Sequence, residues 1–236
     1  MAEHIVSSYD NDLQSLRRRI SEMGGIAEKM LVDAIAALVR GDLPLAQTVI
    51  SSDSRLDLLQ REVEENAILT IARRQPLAVD LRETISAIRV SGNVERIGDL
   101  AKNIAKRALA IGGPFQAHKI VVGVQNMSDL VLGQLKDVLD AYAQQDTVRA
   151  LDVWQRDGAI DALYTSLFRE LLTYMMEDPR NISFCTHLLF CAKNIERIGD
   201  HTTNIAETVY YLVSGETLAI DRPKNDRSID VTKAGA

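Results

Sequence analysis

Apolar residues recur at steps of three and four along almost the whole chain, in stretches rich in Ala, Leu, Ile, Glu, Arg and Gln and poor in Gly and Pro. At 3.6 residues per turn this spacing gathers the apolar side chains into one stripe, so it predicts helices throughout. No alternating run bounded by turn residues argues for a strand. Gly41-Asp42-Leu43-Pro44 closes a first helix over about residues 8–40, with Gly24-Gly25 a weak point midway. A second helix spans about 45–74 and ends at Arg74-Gln75-Pro76, because proline disfavours helical geometry in the residue before it. The third runs from about 80 to 111 and stops at Gly112-Gly113-Pro114. Three more helices are expected over about 118–144, 147–176 and 182–213.

The second trio copies the first. Asn93-Val94-Glu95-Arg96-Ile97-Gly98-Asp99-Leu100-Ala101-Lys102-Asn103-Ile104-Ala105 returns, 101 residues later, as Asn194-Ile195-Glu196-Arg197-Ile198-Gly199-Asp200-His201-Thr202-Thr203-Asn204-Ile205-Ala206. Earlier positions match at an offset of 104: Met23, Leu31, Asp33, Asp42, Asp53 and Asp57 map onto Met127, Leu135, Asp137, Asp146, Asp157 and Asp161. The second copy is therefore three residues shorter between its second and third helices, where Asp178-Pro179 stands for Gln75-Pro76. A recurrence of this length marks an internal duplication. The expected architecture is all-α: two tandem three-helix bundles over 5–113 and 117–216, with a disordered, polar tail over 217–236.

Composition narrows the function. The 236 residues are 46% hydrophobic, enough to bury a substantial core. A net charge of -6 argues against a dedicated nucleic-acid binder, which needs a basic face to neutralise phosphates. No signal-peptide core and no uncharged apolar run of about 18 residues appears, so the expectation is a soluble, cytosolic protein. Cys185 and Cys191 lie six apart, about 240° around a helix, which suits two reduced, buried thiols and neither a disulfide nor a CxxC metal pair.

The carboxylates carry the candidate chemistry. Residues four apart on a helix sit one above the other, so Glu95, Asp99 and Asn103 form one row of oxygen donors, and Glu196, Asp200 and Asn204 form its copy. Ile97, Ala101, Ile104 and Ala108 make the core stripe, and the acids are expected to face away from it. Asp53 and Asp57, with Asp157 and Asp161, supply a second row on the preceding helix of each half. Like charges at this spacing are mildly destabilising, and their recurrence at matched places points to a compensating cation. All-oxygen donors suit Mg, Mn, Ca or Fe better than zinc, which favours Cys and His. A plain solvated face, with Arg96–Asp99 and Arg197–Asp200 ion pairs, would give one such motif the same pattern. Gly98 and Gly199 stand mid-helix at a cost of about 1 kcal/mol each, which close helix packing explains better than an adjacent ion cluster. His201 has Leu100 at its matched position and is expected at the surface, while His4, His118 and His187 have no partner at metal-ligand spacing.

The two E-R-I-G-D copies, together with Arg73-Arg74-Gln75-Pro76-Leu77-Ala78-Val79-Asp80-Leu81-Arg82 and the chain length, closely resemble the PhoU family of bacterial phosphate-uptake regulators, over about residues 5–216. The resemblance implies metal clusters on E(D)-x-x-x-D motifs: Asp53 and Asp57 with Glu95 and Asp99, and Asp157 and Asp161 with Glu196 and Asp200. Asn103 and Asn204 would be additional ligands. It implies a regulator with no catalytic reaction, placed between the ATPase subunit of the phosphate ABC transporter and a membrane sensor histidine kinase, repressing signalling when phosphate is plentiful; a homodimer is also expected. Asn93 and Asn194 stand where the family often has an acid before the motif. The basic corner at Arg73-Arg74 has only Met176-Glu177 opposite it, so a partner contact there would be one-sided. A metal-free helical scaffold remains an alternative reading. A carboxylate-bridged di-metal enzyme is weaker, because the chain has no E-x-x-H pair.

Overall fold

The computed structural model describes residues 2–112 and 118–218. Among these residues the chain forms α1 (Ala2–Arg40), α2 (Leu43–Arg74), α3 (Val79–Ile111), α4 (His118–Gln144), α5 (Thr147–Gln155), α6 (Asp157–Glu177) and α7 (Ile182–Ser214), with a 3₁₀ turn at Pro179–Asn181 and no strand. The expected tail lies outside the described residues from 219 onward.

Local chemistry sets the helix ends, and it does so twice. Asp42 caps α2 by accepting from the Leu45 amide at 2.9 Å. Its counterpart Asp146 caps α5, accepting from Val148 and Arg149 at 2.9 and 3.1 Å. At the other ends, α3 and α7 close on Gly112 and Gly215, whose φ of 81° and 79° is the left-handed conformation glycine adopts without strain.

Two expectations about continuity need correction. α1 runs unbroken through Gly24-Gly25. A β-carbon at Gly24 would come within 2.7 Å of Leu139 Cδ1, so this glycine admits α4 against α1 across the two halves. Conversely, the single helix expected over 147–176 is interrupted at Arg156. The Arg156 carbonyl accepts from the side-chain amide of buried Gln134 on α4, at 3.2 Å, and the Ala159 amide reaches the same carbonyl at 3.1 Å in a tighter turn. In the first half the position matching Gln134 is Met30, which cannot compete for a carbonyl, and α2 stays whole.

Each half packs its three helical rods side by side, and α3 and α7 join the halves. They run antiparallel: Asn93 meets His201 and Asn204, with His201 Nδ1 2.9 Å and Asn204 Nδ2 3.4 Å from Asn93 Oδ1. Towards the other end, the Arg107 guanidinium covers the Phe190 ring at 4.4 Å. One continuous core results, with Leu56, Ile97 and Ile104 from the first half and Leu135, Ile160 and Ile198 from the second. Cys185 and Cys191 are free and buried within it, and burial pushes the Cys191 thiol up to about 12. No described helix is long and apolar enough to cross a membrane.

Candidate functional site

Each half closes its second helix onto its third over a glycine. A β-carbon at Gly98 would overlap the Leu56 side chain, and one at Gly199 would lie 2.6 Å from Ile160 Cδ1. Leu56 and Ile160 are matched positions, so packing accounts for both mid-helix glycines. The close approach lays Asp53 and Asp57 of α2 along Glu95 and Asp99 of α3, and Asp157 and Asp161 of α6 along Glu196 and Asp200 of α7.

These carboxylates do not face away from the core as the helical wheel suggested. Asp53, Asp157, Asp161 and Glu196 are only 9%, 3%, 4% and 6% exposed, and Asp57, Glu95 and Asp99 are half-buried. The reason is tertiary. α3 packs against α1, α2 and α7, and α7 against α3, α4, α5 and α6, so each central helix is covered on several sides and its acid row falls into a seam. Asn103 is exposed, and Asn204 is half-buried with its amide nitrogen turned towards Asn93 of the other half. About 100° per residue places Asn103 some 80° around α3 from Glu95, which carries it out of the seam. Asn93, at the often acidic position of the family pattern, instead serves the interface between halves.

The seams differ in how their charge is met. In the first half, Lys102 Nζ donates to Asp53 Oδ2 across the seam and to Asp99 Oδ1 at 2.8 Å. Burial works against the Lys102 charge, but its hydrogen bonds to Asp53 and Asp99 outweigh that, and its pKa lies above the ordinary lysine value. Arg96 lies outside, 3.4 Å from Asp99 and 3.5 Å from Glu95. Burial raises the Glu95 pKa, and the charges of Asp99, Asp57 and Asp53 add to the rise against Arg96. Glu95 therefore feels the other three carboxylates of its half.

In the second half the position of Lys102 is Thr203, whose hydroxyl lies 3.0 Å from Asp157 Oδ1 and 3.1 Å from the Gly199 carbonyl. Lys193, one turn before Glu196, pairs with its Oε2 at 2.9 Å and lies 5.0 Å from the centre of the Tyr164 ring. Burial raises the Glu196 pKa, and the Asp200 and Asp161 charges contribute against the opposing effect of Lys193. Among the described residues no three carboxylate, imidazole or thiol side chains converge closely enough to hold a metal ion. By donor chemistry the second seam still fits a hard cation, with four carboxylates and a hydroxyl. Each seam also holds an ammonium group, Lys102 in the first and Lys193 in the second.

Lys102 and Thr203 were not among the sequence candidates. Reading donors every fourth residue passed over them, yet Lys102 stands seven after Glu95, about 20° away on the wheel and deeper in the row than Asn103. His201, expected at the surface, is half-buried against Asn93.

Fold and site together define a duplicated helical bundle with one acid-lined seam in each half. The PhoU domain matches this chain twice, over residues 20–108 and 124–209. A phosphate-specific transport system accessory protein PhoU homolog of Rhizobium meliloti (strain 1021) is 57% identical over 223 residues, covering 94% of each chain. The homolog of the same name from Caulobacter vibrioides is 53% identical, over 96% of this chain and 98% of its own. Among solved structures, PhoU from Pseudomonas aeruginosa superposes with a TM-score of 0.85 at 39% identity, covering 88% of this chain and all of its own. The phosphate transport system regulatory protein PhoU from Streptococcus pneumoniae gives 0.82 at 28% identity, over 90% of this chain. The chain belongs to the PhoU family.

Proposed function

We propose that this chain is a non-enzymatic, cytosolic regulator of phosphate uptake. It acts as a homodimer between the ATPase subunit of a phosphate ABC transporter and a membrane sensor histidine kinase, and represses the starvation response when phosphate is plentiful. The observation that carries this reading is family membership along nearly the whole chain, with relatives named as accessory proteins of phosphate-specific transport. Deleting the gene in its host tests it. Phosphatase expression should then stay on in high phosphate, and unchanged repression would sink the proposal.

The second seam is where a hard cation such as Mn, Mg or Fe would be held, by Asp157, Asp161, Glu196 and Asp200. What supports this is a set of carboxylates on two adjacent helices, two of them aspartates four apart on α6, with the Glu196 pKa raised by burial and, against Lys193, by the Asp200 and Asp161 charges. An ion there would neutralise the repulsion and tie α6 to α7. Metal analysis of protein purified without chelator should find Mn or Fe that Asp200→Ala removes, and equal, negligible metal in both forms would refute it.

A further inference from the structure

We propose that the cavity between α3 and α7 binds a small organic anion that also carries hydroxyl groups, the chemistry shared by sugar phosphates, nucleotides and sugar acids. Such a ligand would touch both halves of the molecule at once.

The cavity has a volume of about 430 Å³, within the usual range for small-molecule sites, and lies at the junction of two repeats, where such sites tend to form. Arg89 and Asn93 of α3 line one side and Asn204, Glu207 and Tyr211 of α7 the other, while Leu218 adds an apolar patch. The Arg89 guanidinium lies over the Tyr211 ring at 5.3 Å, which holds its plane, and among the described residues its N–H groups meet no acceptor. A guanidinium held by its face can still take an anionic oxygen pair along its edge. Glu207 Oε1 accepts from Trp154 Nε1 at 3.1 Å, and Asn204 turns its amide nitrogen to Asn93, which leaves Glu207 Oε2 and Asn204 Oδ1 as acceptors. Asn93 is committed at both ends: its Nδ2 donates to the Arg89 carbonyl at 2.8 Å, and its Oδ1 meets His201 and Asn204. It therefore fixes the wall. The complement of this lining is a molecule with an anionic group for Arg89 and O–H donors for Glu207 and Asn204. An apolar ligand would leave those groups unpaired, and a bare inorganic anion would use Arg89 alone and meet the Glu207 charge.

The test is isothermal titration calorimetry of the full-length protein with ribose 5-phosphate, AMP, gluconate and inorganic phosphate. Trp154 emission is followed in parallel, because its hydrogen bond to Glu207 makes it a reporter of the cavity wall. At least one of the first three should bind with a Kd of about 1 mM or tighter and shift the emission, and the tightest of them separates free sugar phosphate, nucleotide and sugar acid as the source. Inorganic phosphate should bind about tenfold more weakly or worse. Arg89→Gln should weaken binding about tenfold or more, and Arg89→Lys, which keeps the charge but loses the fork, should weaken it less. Arg61→Gln, which removes an exposed arginine on α2 outside the cavity, should leave binding unchanged. Circular dichroism melts identify the folded variants. The inference is overturned if none of the three organic anions binds at millimolar concentration, if binding is unweakened in the folded Arg89 variants, or if Arg61→Gln weakens it as much. Inorganic phosphate bound as tightly as the organic anions also overturns it, since the hydroxyl donors would then contribute nothing.

Discussion

Replacing Gly98 by alanine tests whether glycine sets the spacing of the acid seam. The added β-carbon would overlap Leu56 Cδ2 and stand 3.6 Å from Leu56 Cγ and 3.7 Å from Met30 Cε. Leu56 is fully buried, so its end cannot swing into solvent. Overpacking of this kind costs about 1–3 kcal/mol, while alanine gains about 1 kcal/mol over glycine inside a helix. Gly92 on the same helix is the control, because a β-carbon there meets nothing within 4 Å and collects only the helical gain. Gly98→Ala should therefore unfold about 1–3 kcal/mol more easily than Gly92→Ala, or roughly 2–12 °C lower for a chain of this size. Urea titration followed by far-UV circular dichroism and by the emission of the single tryptophan, buried Trp154, measures the difference. Leu56→Ala should also cost less in the Gly98→Ala background than in wild type, since it removes the group the new methyl strikes. A Gly98→Ala protein as stable as Gly92→Ala would refute the packing account of the motif.

Other consequences concern charge and continuity. In chelator-treated protein Glu196→Gln should raise the melting temperature at pH 7, because burial and the Asp200 and Asp161 charges make the ionised form costly. The folded pKa is raised, so the native state holds the proton longer than the unfolded chain. The penalty accordingly develops as pH climbs from the ordinary carboxylate value towards the raised one, and the advantage of glutamine should fade below about pH 4. Melting curves across pH would refute this if the gain were flat or grew in acid. Gln134→Met, which installs the first half's residue, should free the Arg156 carbonyl and slow amide exchange around residues 157–160; unchanged exchange would mean that Gln134 does not cause the break. Trp154 Nε1 donates to Glu207 at 3.1 Å, so Glu207→Ala should leave a buried donor unpaired and destabilise by about 1–3 kcal/mol, as denaturant melts would show.

Much of the fold is legible because helix punctuation is local. The aspartates at 42 and 146 and the glycines at 112 and 215 act through backbone groups within a few residues, and they mark ends that the structure places within a few residues of expectation. The break at Arg156 is different, since it depends on a buried glutamine 22 residues earlier. The acid rows are visible as rows, but their burial is not. A wheel assigns one core stripe, whereas α3 and α7 are covered on several sides by helices distant in sequence. The same distance hides the His201–Asn93 contact. The role of Lys102 lay within reach, because comparing the two repeats position by position sets it against Thr203 beside matched aspartates.

Crystals grown with manganese or iron, with anomalous scattering collected at the edge of the added metal, test the proposed metal site most directly. The expected result is a peak between Asp157 and Asp161 on α6 and Glu196 and Asp200 on α7. No peak in the second seam would contradict it.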